Sequence, residues 1–140
     1  MSNYFHIIGE PCAQKRHRHV SRGKFVSTYD PSSKDKKEFL KKAIVYAPDT
    51  PPVDAISIDV TFIFSRPKSH YRTGKNSGVL KSSAPNKHTK KPDIDNLIKF
   101  LLDSLNGVFF KDDSQVVSIK ANKEYVKSIE QEAKTIINIY

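Results

Sequence analysis

An α+β fold, with a mixed β-sheet and two helices packed on it, is what this sequence predicts. Three observations carry the expectation. Ala55 to Phe64 alternates, with Ile56, Ile58, Val60, Phe62 and Phe64 on one face, which is the period of a half-buried strand. Ile94, Leu97, Ile98, Leu101, Leu102 and Leu105 recur at intervals of three and four, the period of a helix with one apolar stripe. Shorter strand-like runs flank both, and strands mixed with helices in this way build α+β architectures. At 140 residues the chain is long enough for one hydrophobic core and too short for two, so residues 1–140 are expected to form a single domain.

The elements follow in order. Residues 3–9 read as a short apolar strand ended by Gly9-Glu10-Pro11. A basic stretch with Lys15, Arg16, His17, Arg18, His19, Arg22 and Lys24 comes next, and then a brief strand at 25–28. Asp30-Pro31-Ser32-Ser33 is a helix start, with a capping side chain and Pro near the first turn. That helix is expected to reach about Ala47, burying Phe39, Leu40, Ala43 and Ile44, until Pro48 to Pro52 breaks it. After the alternating strand, residues 66–92 hold many lysines and arginines and no acid, and read as a long, mobile basic loop within the domain. The second helix spans 93–106, stopped by Gly107. Strands at 114–125 and 134–140 complete the fold.

The balance of 24 Lys and Arg against 15 Asp and Glu leaves a formal charge of +9, which favours polyanionic partners. No run of ~18 apolar residues exists, so a membrane-spanning helix is excluded. The first residues lack the basic and apolar regions of a secretory signal. Cys12 is the only cysteine, so no intramolecular disulfide forms, and a cytoplasmic location is expected.

In a chain poor in acids, Asp93, Asp95, Asp103, Asp112 and Asp113 fall within a short span. Asp95, Lys99 and Asp103 are four residues apart and line one helix face; Asp93 sits at the helix entrance, and Asp112 and Asp113 follow its end. Magnesium takes oxygen ligands, usually one or two carboxylates with water and substrate phosphate. Held so, it can activate water and neutralise charge on a phosphodiester. An ammonium such as Lys99 can stabilise the charge that develops there. Each piece also has a plainer explanation. Asp93 can be a helix cap, Asp112-Asp113-Ser114 a turn, and Asp95, Lys99 and Asp103 an ion-paired exposed face. The Asp-x-Asp pair of some phosphatases follows an apolar strand, whereas this one follows Lys90-Lys91-Pro92. His17 and His19 need further ligands before they make a metal site.

The segment from Lys91 to Val117 closely resembles the core of RusA-family Holliday-junction resolvases. It has their Asp93-Ile94-Asp95-Asn96 entrance, a lysine one turn on at Lys99, Asp103 before the Leu105-Asn106-Gly107 stop, and Asp112-Asp113-Ser114-Gln115-Val116 at the start of a strand. Gly9 to Arg16 and the tyrosine before the first helix, Tyr29, are similar more loosely. The resemblance implies a small, dimeric, Mg²⁺-dependent nuclease that resolves four-way DNA junctions, of a kind often encoded by phages or prophages, with Mn²⁺ a possible substitute. It implies that Asp93, Asp95 and Asp113 are catalytic, metal-binding aspartates and Lys99 the essential lysine. Asp112 matches a preceding acid that can join the metal ligands, and Asp103 an auxiliary position. The basic loop is longer than in compact members, a departure that bears on substrate preference.

The expected function is therefore a homodimeric, Mg²⁺-dependent endodeoxyribonuclease that resolves Holliday junctions by paired symmetric nicks in recombination and repair. Lys15, Arg16, Arg18, Arg72, Lys87, Lys90 and Lys91 are expected to hold branched DNA. The alternatives are a nuclease for flaps or forks, and a non-catalytic DNA-binding module. Retention of Asp93, Asp95 and Asp113 argues against the module, since a pure binder gains by losing anionic groups that face DNA.

Overall fold

Nine residues of alternating apolar character make Ile56–Phe64 an inner strand of a mixed sheet in the computed structural model, which describes residues 2–140. The strands are β1 (Asn3–Ile8), β2 (Arg18–Arg22), β3 (Phe25–Tyr29), β4 (Ile56–Phe64), β5 (Val116–Tyr125) and β6 (Lys134–Ile139); the helices are α1 (Ser33–Ala43) and α2 (Ile94–Leu105). The fold class is α+β, as expected. The residues group into two compact units.

The first unit comprises residues up to Pro11, Ala55–Lys91 and Val116–Tyr140. It holds the four-stranded sheet, in the order β1-β6-β4-β5. β6 runs antiparallel to both β1 and β4, whereas β5 is parallel to β4, with Asp59 opposite Lys120 and Phe64 opposite Tyr125. The predicted alternation is realised: Ile56, Ile58, Val60, Phe62 and Phe64 are buried, joined by Phe5 and Ile7 of β1 and Ile137 and Ile139 of β6.

Within this unit the basic segment after β4 is fastened at both ends, which its lack of apolar residues did not suggest. Arg66 is buried; its Nε donates to the carbonyl of Val126 at 2.7 Å and its Nη1 to that of Pro85, while its guanidinium lies over the Tyr125 ring. His88 is buried too, stacked on Phe64 with ring centroids 3.9 Å apart. Burial, the largest influence, and the charge of Lys123 lower its pKa. Residues near 86–88 then bond to β5 through His88 N–H to the Lys123 carbonyl and Tyr125 N–H to the Asn86 carbonyl, which covers part of an otherwise open strand edge. Between these clasps two short 3-10 turns, Lys68–His70 and Gly74–Asn76, give the segment local structure.

The second unit comprises Cys12–Asp54 and Pro92–Gln115. Part of the basic stretch, to which the sequence assigned no element, is a strand here: β2 pairs antiparallel with β3 across a two-residue Gly23-Lys24 turn. Gly23 has φ +60°, which a residue without a Cβ adopts freely. α1 also stops earlier than its apolar pattern predicts. It ends at Ala43 and tightens into a 3-10 turn over Ile44–Tyr46, leaving Ile44 47% exposed rather than buried. In α2 the stripe is as expected, with Leu97, Leu101 and Leu105 buried. Phe100, read as outside the stripe, is buried as well and meets Phe39 of α1 edge-to-face at 5.9 Å.

Candidate active site

Every carboxylate that the sequence singles out lies in the second unit, on α2 or close to one of its ends. Asp93 holds the N-cap position of α2 with extended backbone (φ −72°, ψ 148°), yet its side chain makes no capping hydrogen bond. An aspartate there ordinarily contributes about 1 kcal/mol by capping. That contribution is forgone, and the plain explanation of Asp93 as a cap does not hold. Asp95 follows in the first turn, where a carboxylate is favoured by the helix dipole. Both are exposed, and neither carboxylate takes part in a hydrogen bond or ion pair among the described residues.

The two aspartates after the helix differ from one another. Asp112 organises a turn: its Oδ2 accepts from the Ser114 N–H at 3.1 Å, its N–H donates to Gln115 Oε1 at 2.8 Å, and its carbonyl accepts from the Gln115 N–H. Hydrogen bonds from the Ser114 hydroxyl and then its N–H hold the Asp112 carboxyl below the usual range. Gln115 in turn donates to the carbonyls of Pro52 and Asp54. Asp113 opens the 3-10 turn Asp113–Gln115, is exposed, and its carboxylate has no partner among the described residues. The turn therefore presents one free carboxylate and uses the other to hold its shape.

Asp103 belongs to a network that the sequence did not reveal. Lys36 of α1 donates to Asp103 Oδ2 at 3.0 Å and to Asp30 Oδ2 at 2.7 Å. Lys99 reaches Asp103 Oδ2 at 3.7 Å from one turn earlier on α2. Asp30 also accepts from Gln14 Nε2 and from the Ser32 N–H. The Lys36 hydrogen bond first, against some desolvation, and then the Ser32 and Gln14 bonds bring its carboxyl down to about 2. Desolvation opposes the charge on Lys36, but the two carboxylates outweigh it and raise its ammonium above the usual value. Ser32 holds the N-cap position of α1 without a side-chain capping bond; its Oγ accepts from the Lys15 N–H at 2.9 Å instead. Of this set only Asp103 and Lys99 were visible as a pair, through their spacing of four; Lys36 and Asp30 carry no local signal.

The expected DNA-contacting residues fall on both units. Lys15, Arg16 and Arg18 are exposed at and before β2. Arg72, Lys87, Lys90 and Lys91 are exposed on the other unit, but Lys87 is partly neutralised by Glu124 at 3.0 Å, and the Lys90 carbonyl accepts from Lys123. His19 is engaged by the Thr28 hydroxyl across the hairpin.

Residues 9–140 match the family described as endodeoxyribonuclease RusA. The chain belongs to the RusA family. Among relatives, the protein of Bacillus subtilis (strain 168) named "Uncharacterized protein YqaN" is 38% identical over 131 residues, which is 86% of this chain and 86% of that one. RusA membership carries, at the level of the family, endodeoxyribonuclease activity on Holliday junctions, and RusA nucleases generally depend on a divalent metal. No helix among the described residues is long and apolar enough to cross a membrane.

The donor chemistry at the entrance of α2 suits such a metal. Asp93 and Asp95 offer unengaged carboxylate oxygens, the hard ligands that a small divalent cation prefers, and one or two carboxylates completed by water and phosphate are its ordinary protein share. Among the described residues no three His, Cys, Asp or Glu side chains stand close enough to form a metal cage, so Asp93, Asp95 and Asp113 share a unit without forming one. Like-charged exposed carboxylates have no mutual attraction to draw them together.

Proposed function

We propose that this protein is a Mg²⁺-dependent endonuclease that resolves four-way DNA junctions by paired nicks, acting as a homodimer in recombination and repair. The observation that carries the reading is the free carboxylate of Asp93 at a helix entrance where capping would be the ordinary use, beside an equally free Asp95, in a chain of net charge +9 from a nuclease family.

Asp93, Asp95 and Asp113 would hold the ion, with Asp112 shaping the turn that presents Asp113. When bound, a divalent ion supplies Lewis acidity toward water and the scissile phosphodiester. Lys99 supplies the protein's own positive charge to the phosphate as negative charge grows on it. Its pairing with Asp103, part of the Asp30–Lys36–Asp103 network, restrains the long side chain to one side of α2. Lys15, Arg16 and Arg18, with Arg72, Lys90 and Lys91, hold the DNA backbone, and the +9 charge offsets the repulsion between phosphate and the acidic ligands. The homodimer follows from the chemistry: one chain has one such acidic site, a junction needs two opposed nicks, and its approximate two-fold symmetry matches an isologous pair.

The test is incubation of labelled four-way junction with the wild type and with Asp95→Asn, each with and without Mg²⁺, alongside flap, fork and duplex substrates. The wild type is expected to nick opposed strands only with Mg²⁺. Asp95→Asn is expected to bind the junction and leave it uncut. Full cleavage by Asp95→Asn removes Asp95 from the ligand set, and faster cutting of flaps or forks than junctions assigns the activity to those substrates.

A further inference from the structure

Among the described residues, the two strands of the β2–β3 hairpin bury no side chain. Every described side chain on them is exposed, Phe25 at 81% and Val26 at 68%. A two-stranded ribbon without a buried face is at best marginally stable by itself, and apolar side chains clustered in the open mark a place where a partner binds. The strands specify the chemistry of that partner. By strand alternation and ladder register, Arg18, Val20, Phe25, Ser27 and Tyr29 share one face, with Arg18 opposite Tyr29. Between Glu10 and Asp30 the chain carries Lys15, Arg16, Arg18, Arg22 and Lys24 and no acid. So cationic a ribbon repels a second copy of itself. Cations of this density suit phosphates, and aromatic rings among them suit unstacked bases.

The root of the ribbon is tied to the helix that bears the aspartates. The Gln14 N–H donates to the carbonyl of Asn96, the residue after Asp95, at 2.9 Å, and Gln14 Nε2 donates to Asp30 at 2.8 Å. The Lys15 N–H is held by Ser32 Oγ at 2.9 Å. DNA gripped by the ribbon is thus gripped at a fixed offset from Asp95. Strands of this length carry the tip roughly 17 Å from the root, which spans several base steps.

We infer that the β2–β3 hairpin is a DNA-binding arm for the branch point, in which Phe25 stacks on a base exposed there and Arg16 and Arg18 take the flanking phosphates. The inference rests on the nuclease reading above and adds to it the part of the substrate that is recognised.

The full-length protein, in EDTA to prevent cleavage, is titrated against a fluorescent four-way junction with 2-aminopurine at the branch point, and against duplex of the same arm sequence. Phe25→Ala is expected to weaken junction binding roughly tenfold and so lower the junction-to-duplex affinity ratio, as removal of one base–aromatic stack does. It is also expected to abolish the 2-aminopurine response, and Phe25→Trp to keep both. Junction affinity and 2-aminopurine response unchanged in Phe25→Ala overturn the arm alone. Wild type that binds no junction overturns the nuclease reading and the arm with it. Sedimentation in which Phe25→Ala turns a dimer into a monomer reassigns the ribbon to self-association.

Discussion

Replacing Lys36 with Met removes one ammonium from between two carboxylates while keeping most of the side chain's apolar stem. Lys36 is 16% exposed, and its partners Asp30 and Asp103 are 21% and 29% exposed, so the pairs lie between surface and buried ion pairs in worth. Asp30, brought from 3.8 down to about 2, draws part of that shift from Lys36 and the rest from Ser32 and Gln14. With the Asp103 pair included, the destabilisation is expected to be about 2 kcal/mol, or a fall in melting temperature of roughly 5–8 °C for a chain of this size. The pH dependence has a definite sign. The folded pKa of Asp30 is depressed, so its contribution is present above 3.8 and lost as pH falls through about 2. That of Lys36 is raised, so its contribution is present below 10.5 and lost as pH rises beyond its folded value. The gap between wild type and variant is therefore widest in between. Cleavage should respond as well. Without Lys36, Asp103 has Lys99 as its remaining ammonium, and a tighter pair of about 0.5–1 kcal/mol would slow cleavage about two- to fivefold at temperatures where both proteins are folded. Lys36→Met with Asp103→Asn should restore that rate without restoring stability. Circular-dichroism melts from pH 3 to 9 and single-turnover cleavage read the two effects. A variant that melts with the wild type, or a gap of equal width at pH 3 and pH 7, refutes the reasoning.

Two further outcomes follow from the same geometry. Asp113→Asn should abolish cleavage with melting unchanged, whereas Asp112→Ala should lower the melting temperature and retain part of the activity; equal loss from both would erase the distinction between ligand and turn former. Neutralising Lys90 and Lys91 to Gln should weaken binding to all DNA and flatten the log–log salt dependence by about 0.9 for each phosphate no longer neutralised, while Lys87→Gln should change it less because Glu124 already neutralises that charge. An unchanged slope in salt titrations would return Lys90 and Lys91 to solvated charge.

What the sequence alone determined is what periodicity and local chemistry encode. The alternation of Ile56 to Phe64 and the leucine spacing of α2 report which face of each element is buried, and burial is a property of the element itself. The segment around Asp93, Asp95, Lys99 and Asp113 stood out through its likeness to the RusA family, because its members lie in one contiguous stretch, whereas their spacing by itself left each with a plainer explanation. Partners distant in the chain left no such trace. Lys36 and Asp103 are 67 residues apart, and nothing in either neighbourhood marks one as the counterion of the other. The basic run at 18–22 was assigned no element because a polar ribbon has no apolar period, and only its ladder to β3 makes it a strand. Arg66 and His88 read as solvated loop because burial of a polar group depends on what it meets, here Tyr125, Phe64 and the Val126 carbonyl. Asp112 and Asp113 are the same residue type side by side. The family resemblance singles out Asp113, and the turn adds the physical difference by bonding one carboxylate and leaving the other free.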